Sequence, residues 1–367
     1  MELVVRKSEL LKELSLLQGI VERKNTIPIL ANVLLDASGD QVSLLATDLD
    51  VGLRSRCEAS VKKPGTLTLP AKKLFEIVSA LPETEIRIEE DKGGKSVTIA
   101  ADRFESRMQT LPASEFPTPP DDSGAVTATL PGPALKRMIA CTRFAITSED
   151  TRYFLNGAQL VLDAKSMSMV ATDGHRLAFV RVDESPGQGK SEVLLPRKTL
   201  NEVARLIDGS DVIEFSHGEN HLFLRAGSRL LISRKIDANF PAYERVIPKS
   251  NDKRIDFDRD RLAAAVKRVR LLSNERSKAV KFVIAKDQVE ITSSTPEVGE
   301  AHEVLAVEYG GPGMQICFNA DYVDNFLGVV ESEQVQLEFK DEMSQAVMKP
   351  VGAEGYEYTY VIMPMRI

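Results

Sequence analysis

The stretch Leu67-Thr-Leu-Pro-Ala-Lys-Lys-Leu-Phe-Glu-Ile-Val-Ser-Ala-Leu81 decides the fold, because the chain contains it three times in different residues. Its apolar positions Leu74, Ile77, Val78 and Leu81 stand at i, i+3, i+4 and i+7, the stripe by which a helix packs on a core. The same stripe recurs as Leu200, Val203, Ala204 and Ile207, and again as Val323, Phe326, Leu327 and Val330. A short apolar strand precedes each one: Leu67 to Leu69 before Pro70, Val193 to Leu195 before Pro196, and Ile316 to Phe318 before Asn319. Proline and asparagine are both residues that start helices. A spacing of about 125 residues is too long for a solenoid unit and indicates whole domains in series.

The matching elements keep their order outward from this helix. An opening amphipathic helix reads as Leu10, Leu14, Leu17, then Leu135, Ile139, Thr142, then Leu262, Val266, Val269, with start signals at Ser8, Pro133 and Asp258 or Asp260. Strand pairs follow at Ile29 to Leu35, Leu155 to Leu162 and Ala279 to Ile284. Leu44-Leu-Ala-Thr-Asp48 is echoed by Met169-Val-Ala-Thr-Asp173 and more weakly by Val289-Glu-Ile-Thr-Ser293. Polar linkers separate the repeats: Phe116-Pro-Thr-Pro-Pro-Asp-Asp-Ser-Gly124 and Ile247-Pro-Lys-Ser-Asn-Asp-Lys-Arg254. The expected domains are 1–120, 128–246 and 254–367. Each has two helices with antiparallel sheets, an α+β class with the helices on one side.

Composition narrows the function. With 367 residues, 43% hydrophobic and 28% charged, the chain suits several globular domains. It has no apolar run of membrane-spanning length, and Met1-Glu-Leu-Val-Val-Arg6 lacks a signal peptide's apolar stretch, so a cytoplasmic location is expected. Cys57, Cys141 and Cys317 are too scattered for a disulfide framework or a zinc knuckle. A net charge of −7 argues against gripping nucleic acid over the whole surface, but not against a positive charge confined to one face.

Such a face is legible. Arg137, Arg261 and Arg268 lie opposite the apolar stripes of the opening helices, and Lys198 and Arg205, beside Arg197, lie on the outward face of the second repeat's second helix. The first repeat has Lys72 and Lys73 there, whereas the third has Asp321 and Asp324. The loops after the opening helices are basic too, with Arg23-Lys24, Arg152-Tyr153, Arg276 and Lys278. One such cation is as readily a solvated surface residue, but recurrence in an acidic chain favours a shared role. A row of three domains with basic helices along its concave side would leave a sheet edge at each end. Head-to-tail pairing with a second copy would close a ring, and contacts inside it would go to phosphates without reading sequence.

Specific strings agree: Ala171-Thr-Asp-Gly-His-Arg-Leu-Ala178, Arg152-Tyr-Phe-Leu-Asn-Gly157, Leu271-Leu-Ser-Asn-Glu275, Thr26-Ile-Pro-Ile-Leu-Ala-Asn32, Phe240-Pro-Ala-Tyr-Glu-Arg-Val246 and Val361-Ile-Met-Pro-Met-Arg-Ile367. In these the chain resembles, over essentially its whole length, the sliding clamps that form the β subunit of bacterial DNA polymerase III. The resemblance implies the DNA clamp fold, a homodimeric ring with helices lining its lumen, and no catalysis or cofactor. Its implied partners are duplex DNA, the polymerase's catalytic subunit, a clamp loader, and other polymerases and repair proteins carrying a clamp-binding peptide. The implied peptide pocket has walls at Leu155, Thr172, Gly174, His175, Arg176, Leu177, Pro241, Val246, Val361 and Met363, bordered by Asn319, Tyr322 and Met365. The implied DNA loops are at Lys24 and Arg152-Tyr153, with Phe154 where a second tyrosine can stand and Glu149 adding negative charge. The implied dimer contact sets Lys73, Arg103 and Met108 of one copy against Leu271, Leu272, Glu300 and Glu303 of the other, with His302 in an otherwise acidic position.

Three rival readings are open to the same residues. Asp173 and His175 could form a catalytic base and its orienter, but the first repeat has Thr47-Asp48-Leu49-Asp50 without histidine, so Thr-Asp reads as a turn. His217 and His221 have an i, i+4 spacing, but Gly218-Glu219-Asn220 between them reads as a hairpin turn rather than a metal site. A scaffold binding proteins without DNA is the third.

Overall fold

The computed structural model describes residues 1–21, 26–122, 126–147, 149–184, 186 and 190–366. Six α-helices occur among the described residues, two per repeat: α1 (Lys7–Leu17) and α2 (Ala71–Ala80), α3 (Gly132–Thr142) and α4 (Arg197–Leu206), α5 (Arg259–Val269) and α6 (Ala320–Leu327). The expected stripe that begins in α6 is buried throughout, whereas Ile77 of α2 and Ala204 of α4 are half-buried; the last residue of each stripe, Leu81, Ile207 and Val330, falls beyond the helix end. Helix α4 also buries Thr199, Glu202 and Leu206, so it is covered on more than its apolar face.

The helix starts differ in kind. Asp258 caps α5, its carboxylate accepting the Arg261 amide at 2.8 Å, and the Asn319 side chain caps α6. Ser8 does not cap α1, which begins one residue earlier. The Lys7 amide donates to Thr84 O at 2.9 Å and the Ser8 amide to Glu83 Oε1 at 3.2 Å, so a distant segment satisfies the free helix end. Two expected strands also start late. Pro28–Ala31 and Asp150–Leu155 are 3-10 turns, and the strands behind them are Asn32–Ser38 and Gly157–Leu162.

The chain forms two compact units, Met1–Pro133 with Lys198–Lys235, and Ala134–Arg197 with Ile236–Ile367. The central repeat thus contributes to both. In the first unit an eight-stranded antiparallel sheet runs across the repeat boundary, where Arg229–Arg234 pairs with Val51–Glu58 and Ile232 stands opposite Gly52. A five-stranded sheet accompanies it and ends in the edge strand Phe104–Gln109. In the second unit Arg176–Val182 pairs with Glu357–Ile362 in another eight-stranded sheet, with Leu177 opposite Val361. A four-stranded sheet there ends in the edge strand Gly299–Ala306.

A buried ion pair reinforces the seam of the first unit. Arg229 gives two parallel hydrogen bonds, of 2.9 and 2.6 Å, to the Glu13 carboxylate of α1, and the two side chains are 11% and 6% exposed. Nearby, Lys198 donates to the Asp48 carboxylate and to Ile20 O. The carboxylate of Glu202 lies so close to Gly19 that a Cβ there would collide with it. Arg229→Met leaves Glu13 buried and uncompensated, and should lower the stability of the chain by about 3 kcal/mol in a denaturant titration.

Candidate functional site

The second unit's seam carries the residues expected to form a pocket. Its core element is the turn Thr172–Arg176. Thr172 Oγ1 donates to Arg176 O and accepts from the Gly174 amide, while Asp173 Oδ1 accepts from the His175 and Arg176 amides at 2.9 and 3.0 Å. Gly174 has φ +88°, a left-handed conformation that suits glycine. The first repeat builds the same turn: Thr47 Oγ1 donates to Val51 O and accepts from the Leu49 amide, and Asp48 Oδ1 accepts from the Asp50 and Val51 amides. Thr-Asp is therefore a turn motif in both. Asp173 Oδ2 also accepts from Arg176 Nε at 2.9 Å, which commits the carboxylate to structure rather than to proton transfer.

Arg176 ties the second repeat to the third. Its NH1 donates to Asn325 Oδ1 at 2.7 Å, its NH2 to Phe144 O, and its guanidinium lies 4.2 Å from the centre of the Tyr322 ring. Burial opposes its charge, but Tyr360 and Asp173 more than compensate, and its pKa shifts upward. Phe326 stacks on both Tyr358 and Tyr360 beneath this cluster. Thr172, Arg176 and Tyr322 are thus brought together, while Asn319 caps the helix that carries Tyr322.

Its apolar floor is the cluster Val170, Leu177, Val347 and Val361, against which Phe179, Phe240, Tyr243 and Ile247 pack. Leu155 is buried at the end of its 3-10 turn. His175, Pro241, Val246 and Met363 are exposed around this floor. The Met363 amide donates to His175 O at 3.0 Å and the Met365 amide to Cys317 O at 2.8 Å, so the end of the chain is fastened by its backbone on two sides. Of this cluster, Val170, Phe179, Phe240, Tyr243, Ile247 and Val347 are not among the residues expected in the pocket. Phe179 was available in the sequence, two residues beyond Leu177 on the same face of one strand.

The expected DNA-contacting cations are mostly engaged. Lys24 lies outside the described residues. Arg137 faces Glu331 at 3.6 Å and the Tyr356 ring; Arg152 pairs with Glu149; Lys198 with Asp48; Arg205 with Glu202; and Arg268 with Glu303 through bonds of 2.8 and 2.6 Å. Arg197 donates to Ile146 O, and burial together with the charge of Arg176 lowers its pKa. Tyr153 is 58% exposed. Arg103, Met108, Glu300 and Glu303 lie on or beside the two edge strands, with Val304 of one of them 52% exposed, and Leu271 and Leu272 lie on the 3-10 turn Arg270–Leu272 against that strand, with Leu271 78% exposed. Lys73 pairs with Glu76 of its own helix. His217 and His221 flank a hairpin turn in which the Gly218 amide donates to His221 O.

Three serial domains of two helices and antiparallel sheets define a DNA clamp fold. Residues 1–120, 129–242 and 244–366 match the N-terminal, central and C-terminal domains of the DNA polymerase III beta subunit. The beta sliding clamp of Pseudomonas putida is 37% identical over 373 residues, covering 100% of both chains. The crystal structure of the DNA polymerase III subunit beta from Pseudomonas aeruginosa superposes with a TM-score of 0.92 at 36% identity, again covering 100% of each. A second structure from that organism, with the same TM-score of 0.92 and 36% identity over 100% of both chains, is of the sliding clamp bound to griselimycin. The chain belongs to the DNA polymerase III β-subunit family, the β sliding clamps. It is accordingly a DNA-replication protein of the homodimeric ring type, a processivity factor and not an enzyme.

Proposed function

We propose that the seam at Leu177 and Val361 is the dock through which this clamp holds its partners. The occupant is a short apolar peptide carried by the polymerase's catalytic subunit, the clamp loader, and other polymerases and repair proteins. The observation that carries this reading is the combination of an apolar floor with exposed Met363, Val246, Pro241 and His175 above it. Methionine adapts to varied apolar partners, and the fixed backbone of the turn gives it a firm edge. The Pseudomonas aeruginosa relative binds griselimycin, and on this reading the compound would compete for the same dock.

The domains are 1–120, 128–246 and 254–367, and the ring works in the cytoplasm. It closes when Phe104–Gln109 of one copy pairs with Gly299–Ala306 of the other. Both are edge strands with exposed apolar side chains, a liability that pairing removes. Lys73, Arg103 and Met108 then meet Leu271, Leu272, Glu300 and Glu303. Duplex DNA is held through Lys24, Arg152, Tyr153 and the helix cations Arg137, Arg197, Lys198, Arg205 and Arg268. These contacts reach phosphates and carry no sequence preference.

Replacing His175 and Met363 together with alanine should weaken an apolar clamp-binding peptide about tenfold or more in fluorescence anisotropy while the dimer persists. Unchanged affinity, or peptide that griselimycin fails to displace from the unmodified chain, would count against the dock. Leu272→Asp should yield monomers in sedimentation velocity, and a dimer of full mass would refute the edge pairing.

A further inference from the structure

Arg152 joins two parts of the chain that bind different ligands in the reading above. Its 3-10 segment, Asp150–Leu155, carries exposed Tyr153 and, two residues on, buried Leu155. One is presented where the duplex is proposed to pass, and the other closes the peptide dock. Arg152 precedes both and breaks the segment's helical backbone, with φ −118° and ψ 53°.

Its guanidinium is divided between two anchors. Nε and NH2 donate to Glu149 Oε2 at 3.0 and 2.6 Å, and NH1 donates to Asp173 O at 3.0 Å. NH1 also rests on the bare face of Gly174, where an added Cβ would stand 2.6 Å from it. The guanidinium thus covers part of a residue assigned to the wall of the dock.

These anchors differ in strength from the turn they touch. The Glu149 side chain is 55% exposed, and an exposed ion pair is weak. A phosphate can accept the same two-pronged donation that the carboxylate now receives. The turn itself does not depend on Arg152, because Thr172 Oγ1 and Asp173 Oδ1 bond it from within. The guanidinium can therefore leave Gly174 without collapsing the dock.

We propose that Arg152 is a positioning residue that couples DNA in the ring to peptide in the dock. A DNA phosphate takes the guanidinium from Glu149 and Asp173, Gly174 is uncovered, and the peptide binds more tightly. Linkage makes the effect mutual, so bound peptide strengthens the hold on DNA. The inference rests on the proposed dock and on the duplex passing Tyr153.

The test measures the affinity of a fluorescent apolar clamp-binding peptide for the full dimeric chain, with and without a saturating short duplex. The unmodified chain should bind the peptide about fivefold more tightly with duplex present. Arg152→Ala should show the tighter affinity in both conditions, a ratio of one. Arg152→Lys keeps the charge but loses the fork, and its ratio should also fall to one. Melting temperature and dimer mass equal to those of the unmodified chain confirm that each variant is folded. If peptide and duplex both bind the unmodified chain but the ratio is already one, the coupling is overturned. If Arg152→Ala retains the fivefold ratio, the assignment to Arg152 is overturned, since a merely structural residue shifts both affinities together. Peptide that fails to bind in either condition overturns the dock itself, a distinct result.

Discussion

Backbone pairing between strands from different repeats is the constraint on which the rest of the structure depends. Arg176–Val182 and Glu357–Ile362 share a ladder, so the last strand of the third repeat is also the neighbour of a strand in the second. That register sets Leu177 opposite Val361 in the floor of the proposed dock, and it places Arg176 beside Ile362, from where its guanidinium reaches Phe144 and Asn325. A one-residue slip would turn every one of these side chains to the other face. The site and the joint between repeats are therefore one piece of structure, and a change that loosens either loosens both.

The same construction recurs at the first seam with a different outcome. Its turn repeats the threonine Oγ1 and aspartate Oδ1 hydrogen bonds of Thr172–Arg176, but Leu49 adopts φ +83° where Gly174 has φ +88°, a conformation that costs a leucine more than a glycine. Gly52 stands opposite Ile232 there, as Leu177 stands opposite Val361, and Pro119 packs 3.6 Å from where a Gly52 Cβ would be. Backbone geometry is shared between the seams, while side-chain volume and the course of the linker differ. A repeated fold thus supplies two equivalent positions, and the residues at one of them build the proposed dock.

What the sequence made legible follows from the range of the interactions involved. Helix stripes at Leu74 and Val78, or at Val323 and Phe326, depend on neighbours three and four residues away and are visible in any window of the chain. The cap at Asp258 is equally local. The start of α1 was misplaced because its amides are satisfied by Glu83 and Thr84, and no local pattern records that. The cationic face was legible as a pattern of lysines and arginines, but their partners were not: Lys198 meets Asp48 across 150 positions and Arg229 meets Glu13 across 216. Net charge and helix position cannot show that these cations are already paired. At the proposed dock, Leu177 and Val361 stand in the shared strings, and Phe179 shares the strand face of Leu177, whereas the packing of Phe240, Tyr243 and Val347 onto one cluster with them is long-range and visible only in the folded chain.

Enclosure of DNA by a closed dimer is the central claim, and topology tests it more directly than affinity does. After loading onto a circular duplex, the chain should co-elute with the DNA through a sizing column and be lost when one cut linearises the circle. Equal retention on circular and linear DNA of the same length would contradict the account, because a protein held by surface contacts alone does not sense whether its track has ends.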